Sequence, residues 1–418
     1  MGGMVEKILV LGVGAQGSTV ARRLDEEPGV RQIVCADYDE KAVSGLTGLL
    51  KKASGVKVDA ESKGDIVKAA RGADLIVNAL PLEYGRQVLE TAIEVEAHYQ
   101  DFSAASNIIN GDPDENWVKG IKIMYDDYSV QFEKIGRTAV IGTGSAPGLI
   151  CVAARRAVRE LDSCHTINMF VYEGAEAKKF QPFWWSPITA LLDMKDRGYA
   201  FENGELIRTE AFGRPVMRKF PELGGFEAEF VEHNHDEPVF MGFNSEFFFK
   251  GAKNIYFKYG GVGVNYAKPL YRAGLLSTRE EMVKGRNVVP FDLILAHLPP
   301  APKTADEIKE IIAGGLVSDI GAFVVEAYGK KNGEEVMVEA HVFAPGLADS
   351  FERSGLTAEM YLTGQCGFLF SKMFIEGKYT QFGLISSDML TDEQVDWYLD
   401  GASKLDITLE LAVKEVKK

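Results

Sequence analysis

The 418-residue sequence predicts an α/β fold, in which a doubly wound parallel sheet precedes an α+β domain with a mostly antiparallel sheet. Two observations support this prediction. Short apolar runs alternate with helical patterns over the first hundred residues, which is typical of βαβ units. Longer alternating segments follow residue 148, and Lys331-Asn332-Gly333 gives a hairpin signal between two of them.

The first region is predicted element by element from its apolar period. Its strands are expected at Lys7–Leu11, Gln32–Ala36, Val56–Asp59, Ala73–Leu80, Ala97–Asp101 and Thr138–Ile141, and its helices at Ser18–Glu26, Glu40–Lys52, Asp65–Ala70 and Tyr84–Glu94. Asn110–Asp127 is polar, and we predict an irregular surface segment there. The glycine-proline cluster Gly142–Gly148 predicts the end of the domain.

The later part of the chain has a different pattern. Strands are predicted at Ile167–Tyr172, Ala228–Val231, Glu246–Phe249, Ala322–Ala327 and Val336–Phe343, followed by a helix at Gly364–Glu376 and a charged amphipathic helical tail at Val395–Val416.

Composition limits the possible partners. The net charge is -15, so we expect repulsion from nucleic acid and from anionic membranes. The apolar run Ile8–Leu11 is too short for a signal peptide, and no run reaches the ~18 residues that a membrane helix needs. We therefore expect a cytoplasmic protein. Its scattered cysteines, Cys35, Cys151, Cys164 and Cys366, are predicted to be buried thiols.

A glycine motif joins the first strand to the first helix. Gly12, Gly14 and Gly17 have G-x-G-x-x-G spacing, with Ala15 and Gln16 between the last two. In this context the glycines allow a tight turn, approach of a pyrophosphate, and close packing of helix on sheet. The helix N-terminus favours the negative charge of that group. The motif predicts a Rossmann domain that binds a dinucleotide.

An acidic residue at the end of the second strand predicts which dinucleotide the domain binds. Asp37 is placed to accept hydrogen bonds from the adenine ribose hydroxyls and to repel a 2′-phosphate. Tyr38 and the acids that follow provide no arginine for that phosphate. We therefore predict NAD in preference to NADP.

Two further segments are expected at the cofactor crevice, because the carboxyl ends of parallel strands face it. Ala79, Leu80 and Pro81 end the fourth strand. Gly144 and Ser145 follow the last strand of the first domain.

Several segments in order along the chain carry a family resemblance. They are CADYD (35–39), ADLIVNALP (73–81), AHYQDFS (97–103), GTGSAPGL (142–149), FWWSPITALLDM (183–194), ENGEL (202–206), KYGGVG (258–263), LYRAGLL (270–276) and LTGQCGFLFSKMFIEGKYTQFGLISSDML (362–390). Together with the glycine motif, they resemble the saccharopine dehydrogenase family, which includes lysine dehydrogenases and carboxynorspermidine-type reductases.

The resemblance implies a domain organisation and a chemistry. Residues 1–148 and 363–418 would form the NAD-binding domain, and 149–362 a substrate-binding and dimerisation domain. Hydride would pass between the nicotinamide and the carbon of a C–N bond in an amino acid. The family's PGH histidine is missing, since Val262 or Gly263 stands at the matching position.

Amine oxidation requires a base. Asp101, at the end of a strand, is the best-placed acid, with a helix cap or a structural role as the alternative. Tyr84 is a second candidate. His98 lies inside a strand pattern, which favours a hydrogen-bonded structural histidine.

The substrate's carboxylate calls for a bidentate donor, and Arg272 lies in a family-like segment. Arg214, Arg218 and Lys268 are alternatives, and a solvated surface charge is the competing interpretation for each. Trp185 and Ser186 are expected to line the substrate site, although core packing would also suit a tryptophan.

His233 and His235 are spaced like metal ligands on a strand, but no third ligand cluster matches them, so we predict no metal site.

These observations predict an NAD-dependent dehydrogenase acting on a C–N bond of lysine, saccharopine or a similar amino acid, and expected to be a homodimer. One alternative is a carboxynorspermidine or polyamine-type reductase, which would need an acidic pocket for amines. Another is a catalytically idle NAD-binding protein, since fold alone does not establish activity.

Overall fold

The computed structural model describes residues 5–111 and 113–416, with side chains omitted at 113–115. The elements of its first part are β1 (Lys7–Leu11), α1 (Ala15–Glu26), β2 (Gln32–Asp37), α2 (Glu40–Thr47), β3 (Ala53–Lys57), α3 (Lys63–Ala70), β4 (Leu75–Asn78), α4 (Gly85–Glu94), β5 (His98–Asp101), α5 (Pro113–Ile123), α6 (Ser129–Lys134) and β6 (Thr138–Ile141).

The middle part is longer and richer in strands. Its elements are α7 (Leu149–Arg159), β7 (Ser163–Ala177), α8 (Pro187–Lys195), β8 (Tyr199–Glu202), β9 (Glu205–Arg208), β10 (Val216–Phe220), β11 (Phe226–Glu232), α9 (Glu237–Phe243), α10 (Ser245–Phe248), β12 (Asn254–Gly261), α11 (Val262–Arg272), β13 (Glu281–Val283), β14 (Arg286–Val288), α12 (Pro290–His297), α13 (Ala305–Ala313), β15 (Leu316–Lys331), β16 (Glu334–Phe343) and α14 (Leu347–Ser354).

The last part contains α15 (Ala358–Ile375), β17 (Gly383–Ser386), α16 (Asp392–Ser403) and β18 (Thr408–Glu415). None of the helices in the described residues is both long and apolar enough to cross a lipid bilayer.

The chain divides into two compact units. Unit 1 comprises residues 1–152 and 360–405, and unit 2 comprises 153–359 and 406–418. The predicted domains assigned all of 363–418 to the first domain. The structure instead groups residues 406–418 with unit 2, because β18 pairs with β16 along its whole length.

Unit 1 is built on a parallel seven-stranded sheet with the order β17-β6-β5-β4-β1-β2-β3. Its first six strands in the chain have the doubly wound Rossmann order, which reverses between β1 and β4. β4 and β6 are buried throughout, as expected for a sheet covered on both faces. The predicted Rossmann domain is confirmed.

Unit 2 is built on a larger mixed sheet with the main order β10-β11-β12-β7-β15-β16-β18. The β12–β7 pair is parallel and the other neighbours are antiparallel. The mostly antiparallel second sheet is therefore confirmed, and Asn332-Gly333 forms the predicted hairpin between β15 and β16.

Two local predictions of secondary structure were wrong. The segment predicted as irregular at Asn110–Asp127 contains α5, with Ile121 and Met124 buried at helical spacing. Glu246–Phe249 was predicted as a strand, but it lies in and just after α10; Phe249 is buried while Phe247 is 86% exposed. Around α5 the buried apolar side chains have a helical period that their polar neighbours mask, whereas the run of phenylalanines around α10 shows no clear period.

The predicted helical tail is also shorter than expected. Helix α16 ends at Ser403, and Asp406 has a φ of +58° that turns the chain. The remaining residues form β18, where Leu409 and Leu411 are half-buried and their neighbours are exposed. That alternation has the period of a strand.

Candidate active site

The loop between β1 and α1 in unit 1 is built around its glycines. Gly12 has a φ of +84°, and a Cβ there would lie 2.6 Å from the carbonyl oxygen of Ala79. A Cβ on Gly17 would overlap the carbonyl oxygen of Gly12, whereas one on Gly14 would meet nothing within 4 Å. Gly14 is the N-cap residue of α1, and no described side chain caps that helix. The loop therefore fits a dinucleotide pyrophosphate.

Two alanine variants separate the packing and binding roles of this loop. Gly17→Ala is expected to lower the free energy of unfolding by about 1–3 kcal/mol, because the added methyl group is forced against backbone. Gly14→Ala is expected to leave stability unchanged and to weaken dinucleotide binding, because its methyl group occupies the space through which the pyrophosphate approaches. Urea denaturation and titration of NADH fluorescence measure the two effects. Equal stability loss in both variants would contradict this division.

Asp37 ends β2 beside this loop. Its Oδ2 accepts a hydrogen bond from the Val13 N–H at 2.9 Å, and its Oδ1 accepts one from the Asp39 N–H at 3.0 Å. The side chain is half-buried, so its carboxylate is fixed in orientation and remains accessible. Tyr38 is 77% exposed beside it. Ala15 and Gln16 lie half-buried in the first turn of α1.

The end of β4 lies next to the glycine loop. Ala79 donates its N–H to the Leu11 carbonyl at 2.7 Å, and Leu80 donates to the Asn78 side chain at 3.2 Å. Pro81 is exposed. Tyr84 is half-buried, and no hydrogen bond joins it to Asp101 within the described residues. The structure thus places Ala79 and Leu80 beside the glycine loop. A catalytic role for Tyr84 stays a prediction.

Asp101 is 4% exposed at the end of β5. Its carboxylate accepts hydrogen bonds from the Asn78 side chain at 2.8 Å, from the Tyr99 hydroxyl, and from the Ser103 N–H at 3.3 Å. Burial raises the pKa of Asp101 to about 6, although these donors oppose the shift. These contacts favour a structural role for Asp101, whose carboxylate connects β5 to Asn78 on β4.

His98 is buried on the same strand, and its Nδ1 accepts the Thr138 N–H at 3.0 Å. Burial lowers the pKa of His98 to about 4. This is the hydrogen-bonded structural histidine that the strand pattern favoured.

The loop after β6 is packed inside unit 1. Gly144 is buried, and Ser145 shares a 2.9 Å hydrogen bond with the Thr363 hydroxyl on α15. These contacts account for the loop's position, and a cofactor role for Gly144 and Ser145 stays a prediction.

Unit 2 carries a second set of polar groups, centred on Glu173 of β7. Its Oε2 accepts hydrogen bonds from the Trp185 indole N–H at 3.1 Å and from the Tyr259 hydroxyl. Its Oε1 takes no hydrogen bond from any residue that the structure describes. Trp184 is a core residue, 4% exposed, whereas Trp185 is only half-buried. One tryptophan of the pair therefore packs in the core, and the other borders Glu173.

Glu359 completes what we term the acid pair, Glu173 and Glu359. Burial, together with the charge of Glu173, raises the pKa of Glu359 to about 8. Burial also raises the pKa of Glu173. The Glu359 Oε2 is buried without a hydrogen-bond partner among the described residues. The sequence analysis missed both acids, because nothing local to either residue signals the other.

The acid pair predicts a dependence of stability on pH. The unfolded Glu359 carboxyl ionises near its ordinary value of 4.5, whereas the folded one keeps its proton up to about 8. The folded protein therefore holds more protons between these values, and its free energy of unfolding falls as the pH rises across that range. Glu359→Gln is expected to melt higher than the parent protein at pH 9 and to differ little at pH 4.5. Thermal melts at both pH values measure this, and a difference independent of pH would contradict it.

The two histidines with metal-like spacing are stacked in the core of unit 2. His235 lies on the Phe257 ring at 4.3 Å and His233 on the Tyr259 ring at 4.6 Å, measured between centroids. His235 bonds to Glu237 at 2.6 Å. Burial alone would lower the pKa of His235, but Glu237 and neighbouring acids outweigh it and raise it to about 9. No cluster of three metal-ligating side chains occurs within residues 5–111 and 116–416.

The cationic side chains considered for binding a substrate carboxylate either form ion pairs with acids of the protein or are exposed. Arg218 bridges Glu326 at 3.0 Å and Glu339 at 2.8 Å. Arg214 pairs with Glu202 at 3.1 Å. Both arginines line a cavity of about 420 Å³ together with Phe170, Tyr256, Lys258 and others.

Lys268 pairs with Glu229. Arg272 is exposed at the end of α11, and within the described residues no hydrogen bond joins it to Trp185 or Ser186. Ser186 caps α8 by accepting the Thr189 N–H at 3.3 Å. Of the three predicted substrate residues, the structure brings only Trp185 to the acid pair.

The parallel sheet and its glycine loop define a class: the chain has the nucleotide-binding unit of an NAD(P)-binding oxidoreductase. Residues 8–140 match the family model described as the saccharopine dehydrogenase NADP binding domain. The nucleotide-binding part of the chain therefore matches the saccharopine dehydrogenase family.

Similar proteins align with most of the chain. The chain is 27% identical to carboxynorspermidine synthase of Vibrio alginolyticus over 405 residues, covering 92% of each chain. Its fold matches saccharopine dehydrogenase (L-Glu forming) of Saccharomyces cerevisiae with a TM-score of 0.69, at 12% identity over 98% of this chain and 99% of the other. It also matches a homospermidine synthase of Legionella pneumophila in complex with NAD, with a TM-score of 0.66, 11% identity and coverage of 97% and 91%.

Proposed function

We propose that this protein catalyses NAD-dependent hydride transfer at the C–N bond of a carboxylated polyamine, like the carboxynorspermidine synthase that it resembles. The observation that carries the proposal is the acid pair of unit 2, with Trp185 and Tyr259 beside it. An ammonium group is bound by carboxylates and by aromatic faces. Lysine and saccharopine carry fewer amino groups per carboxylate than a carboxylated polyamine does, so an acidic site with aromatic neighbours favours the polyamine over these amino acids.

The acid pair suits both the binding and the deprotonation of an amine. Among the described residues, no hydrogen-bond donor reaches the second oxygen of Glu173 or the buried Oε2 of Glu359. An ammonium group must lose a proton before its nitrogen attacks a carbonyl carbon, or before the carbon bonded to that nitrogen gives up hydride. Burial and the charge of Glu173 raise the pKa of Glu359 towards the neutral range, which suits a general base.

Unit 1 supplies the cofactor half of the proposal. Gly12, Gly14 and Gly17 would hold the pyrophosphate, and Asp37 would accept hydrogen bonds from the adenine ribose. A bound nicotinamide would supply or accept the hydride. The fixed Asp37 carboxylate supports NAD over NADP, because it would repel a 2′-phosphate.

The test is the absorbance change at 340 nm with NAD or NADP and four amines: carboxynorspermidine, homospermidine, saccharopine and lysine. We expect the highest kcat/KM with carboxynorspermidine and NAD. A preference for saccharopine or lysine would move the protein to the amino-acid dehydrogenases. Binding of NADH without turnover of any of the four would support an idle NAD-binding protein.

A further inference from the structure

The cavity lined by Lys258 lies on the face of the unit 2 sheet that points away from the acid pair. Side chains alternate between the two faces along a strand. On β12 the Tyr259 hydroxyl bonds to Glu173 of the acid pair, so the preceding residue, Lys258, points to the other face. The cavity volume of about 420 Å³ is within the range of small-molecule pockets, about 300–1,000 Å³. This cavity is therefore separate from the site assigned to the amine.

Lys258 lines this cavity as a buried cation without an acid partner. It is 7% exposed, and its ammonium group donates a hydrogen bond to the Arg214 carbonyl at 2.9 Å. It forms no ion pair within the part of the chain that the structure describes, although Glu232 is its cross-strand neighbour on β11. Burial lowers the pKa of Lys258, and Glu232 opposes that shift. Because a buried ammonium group is costly without a counter-ion, an anion in the cavity would stabilise it.

The two arginines of the lining are already paired with acids. Arg218 pairs with Glu326 at 3.0 Å, and Arg214 pairs with Glu202 at 3.1 Å. Lys258 is therefore the cation of the lining that can pair with one further negative charge. A dianion would bring a second charge towards Glu326, which also lines the cavity, so a ligand with a single negative charge fits better.

The rest of the lining fits a short hydrocarbon chain with a carboxylate at one end. Asn168 lies on β7 two positions from Phe170, the residue directly opposite Lys258 on the neighbouring strand. No hydrogen bond joins the Asn168 side-chain amide to any residue that the structure describes, so its N–H can donate to a carboxylate that also pairs with Lys258. Phe170, Val216 and Met217 supply the apolar surface of the cavity.

We propose that this cavity binds a small monocarboxylate. Its carboxylate lies between Lys258 and Asn168, and its hydrocarbon chain lies on Phe170 and Val216. This inference is independent of the proposed function, since the cavity contains none of the residues assigned to cofactor or amine.

The test is a titration of the full chain with pentanoate, followed by saturation-transfer difference NMR. We expect saturable binding with a Kd of about 1 mM, since so small a ligand makes few contacts. Pentylamine has the same hydrocarbon chain with the opposite charge, and we expect it to bind at least about tenfold more weakly. Equal binding of pentylamine, or displacement of pentanoate by an equal concentration of inorganic phosphate, would overturn the proposal.

Two variants locate the binding in this cavity. Lys258→Met removes the charge and keeps an unbranched side chain, and we expect it to weaken pentanoate binding at least about tenfold. Lys253→Met is the matched control, because Lys253 is exposed just before β12, and its binding should equal that of the parent protein. Asn168→Asp adds a repelling carboxylate and gives an independent test if Lys258→Met does not fold, which thermal melts would show. Undiminished affinity in a folded cavity variant, or no saturable binding to the parent protein, would overturn the proposal.

Discussion

Replacing Asp37 with serine is expected to lower kcat/KM for NAD by about 100-fold while leaving that for NADP unchanged or higher. Two charge-assisted hydrogen bonds to the ribose are lost, each contributing about 1.5–3 kcal/mol, and 1.4 kcal/mol corresponds to a factor of ten. Removing the carboxylate also removes its repulsion of a 2′-phosphate. Initial rates with both cofactors at saturating amine measure the change in preference.

Asp39→Ser is the matched control for this variant. It removes the same charge two residues away, and serine preserves the N-cap that the Asp39 side chain provides to α2. We expect the control to keep the parent's preference for NAD. If both variants shifted the preference equally, the general negative charge of this region, rather than a contact with ribose, would be responsible. Thermal melts are needed alongside, because Asp37 also binds the Val13 and Asp39 N–H groups.

Replacing Glu173 with glutamine is expected to raise KM for the amine substrate by at least about 100-fold and to leave the affinity for NADH unchanged. Removing one partner of a desolvated ion pair costs about 3–5 kcal/mol. The amide oxygen of glutamine still accepts a hydrogen bond from Trp185 or Tyr259, so the local structure is expected to hold. Steady-state kinetics with the amine and fluorescence titration with NADH separate the two effects.

Glu176→Gln provides the comparison. Glu176 lies on the same strand and is exposed, so its replacement changes net charge equally without touching the acid pair. We expect its kinetics to match the parent protein. An unchanged KM in Glu173→Gln would place the amine elsewhere, and the proposed function would then lose the observation that carries it.

The predictions succeeded where the determining residues are neighbours in the chain. The glycine motif and Asp37 lie in one βαβ unit, formed by β1, α1 and β2. The positions of these elements follow from the local strand and helix periods. The parallel sheet of unit 1 and the hairpin after Lys331 follow from similar short-range signals. They failed at α5, at α10 and along β18, where the local period was ambiguous.

Site residues show the same limit. Ser186 was expected in a substrate site, and the structure shows that its side chain caps α8. Arg214 and Arg218 were considered as alternatives for binding the substrate's carboxylate, and acids from other elements pair with both. An ion pair between distant segments leaves no trace in the local sequence of either partner.

The sequence by itself determined the Rossmann unit, its glycine loop and the position of Asp37 beside that loop, because a tight turn and a strand end are specified by a few consecutive residues. Only the tertiary structure decided that Glu173 and Glu359 form one acid pair and that Trp185 borders it. The long sheet of unit 2 positions Glu173, and the start of α15 positions Glu359. The raised pKa of Glu359 depends on burial and on a second charge, and both exist only after the chain has folded.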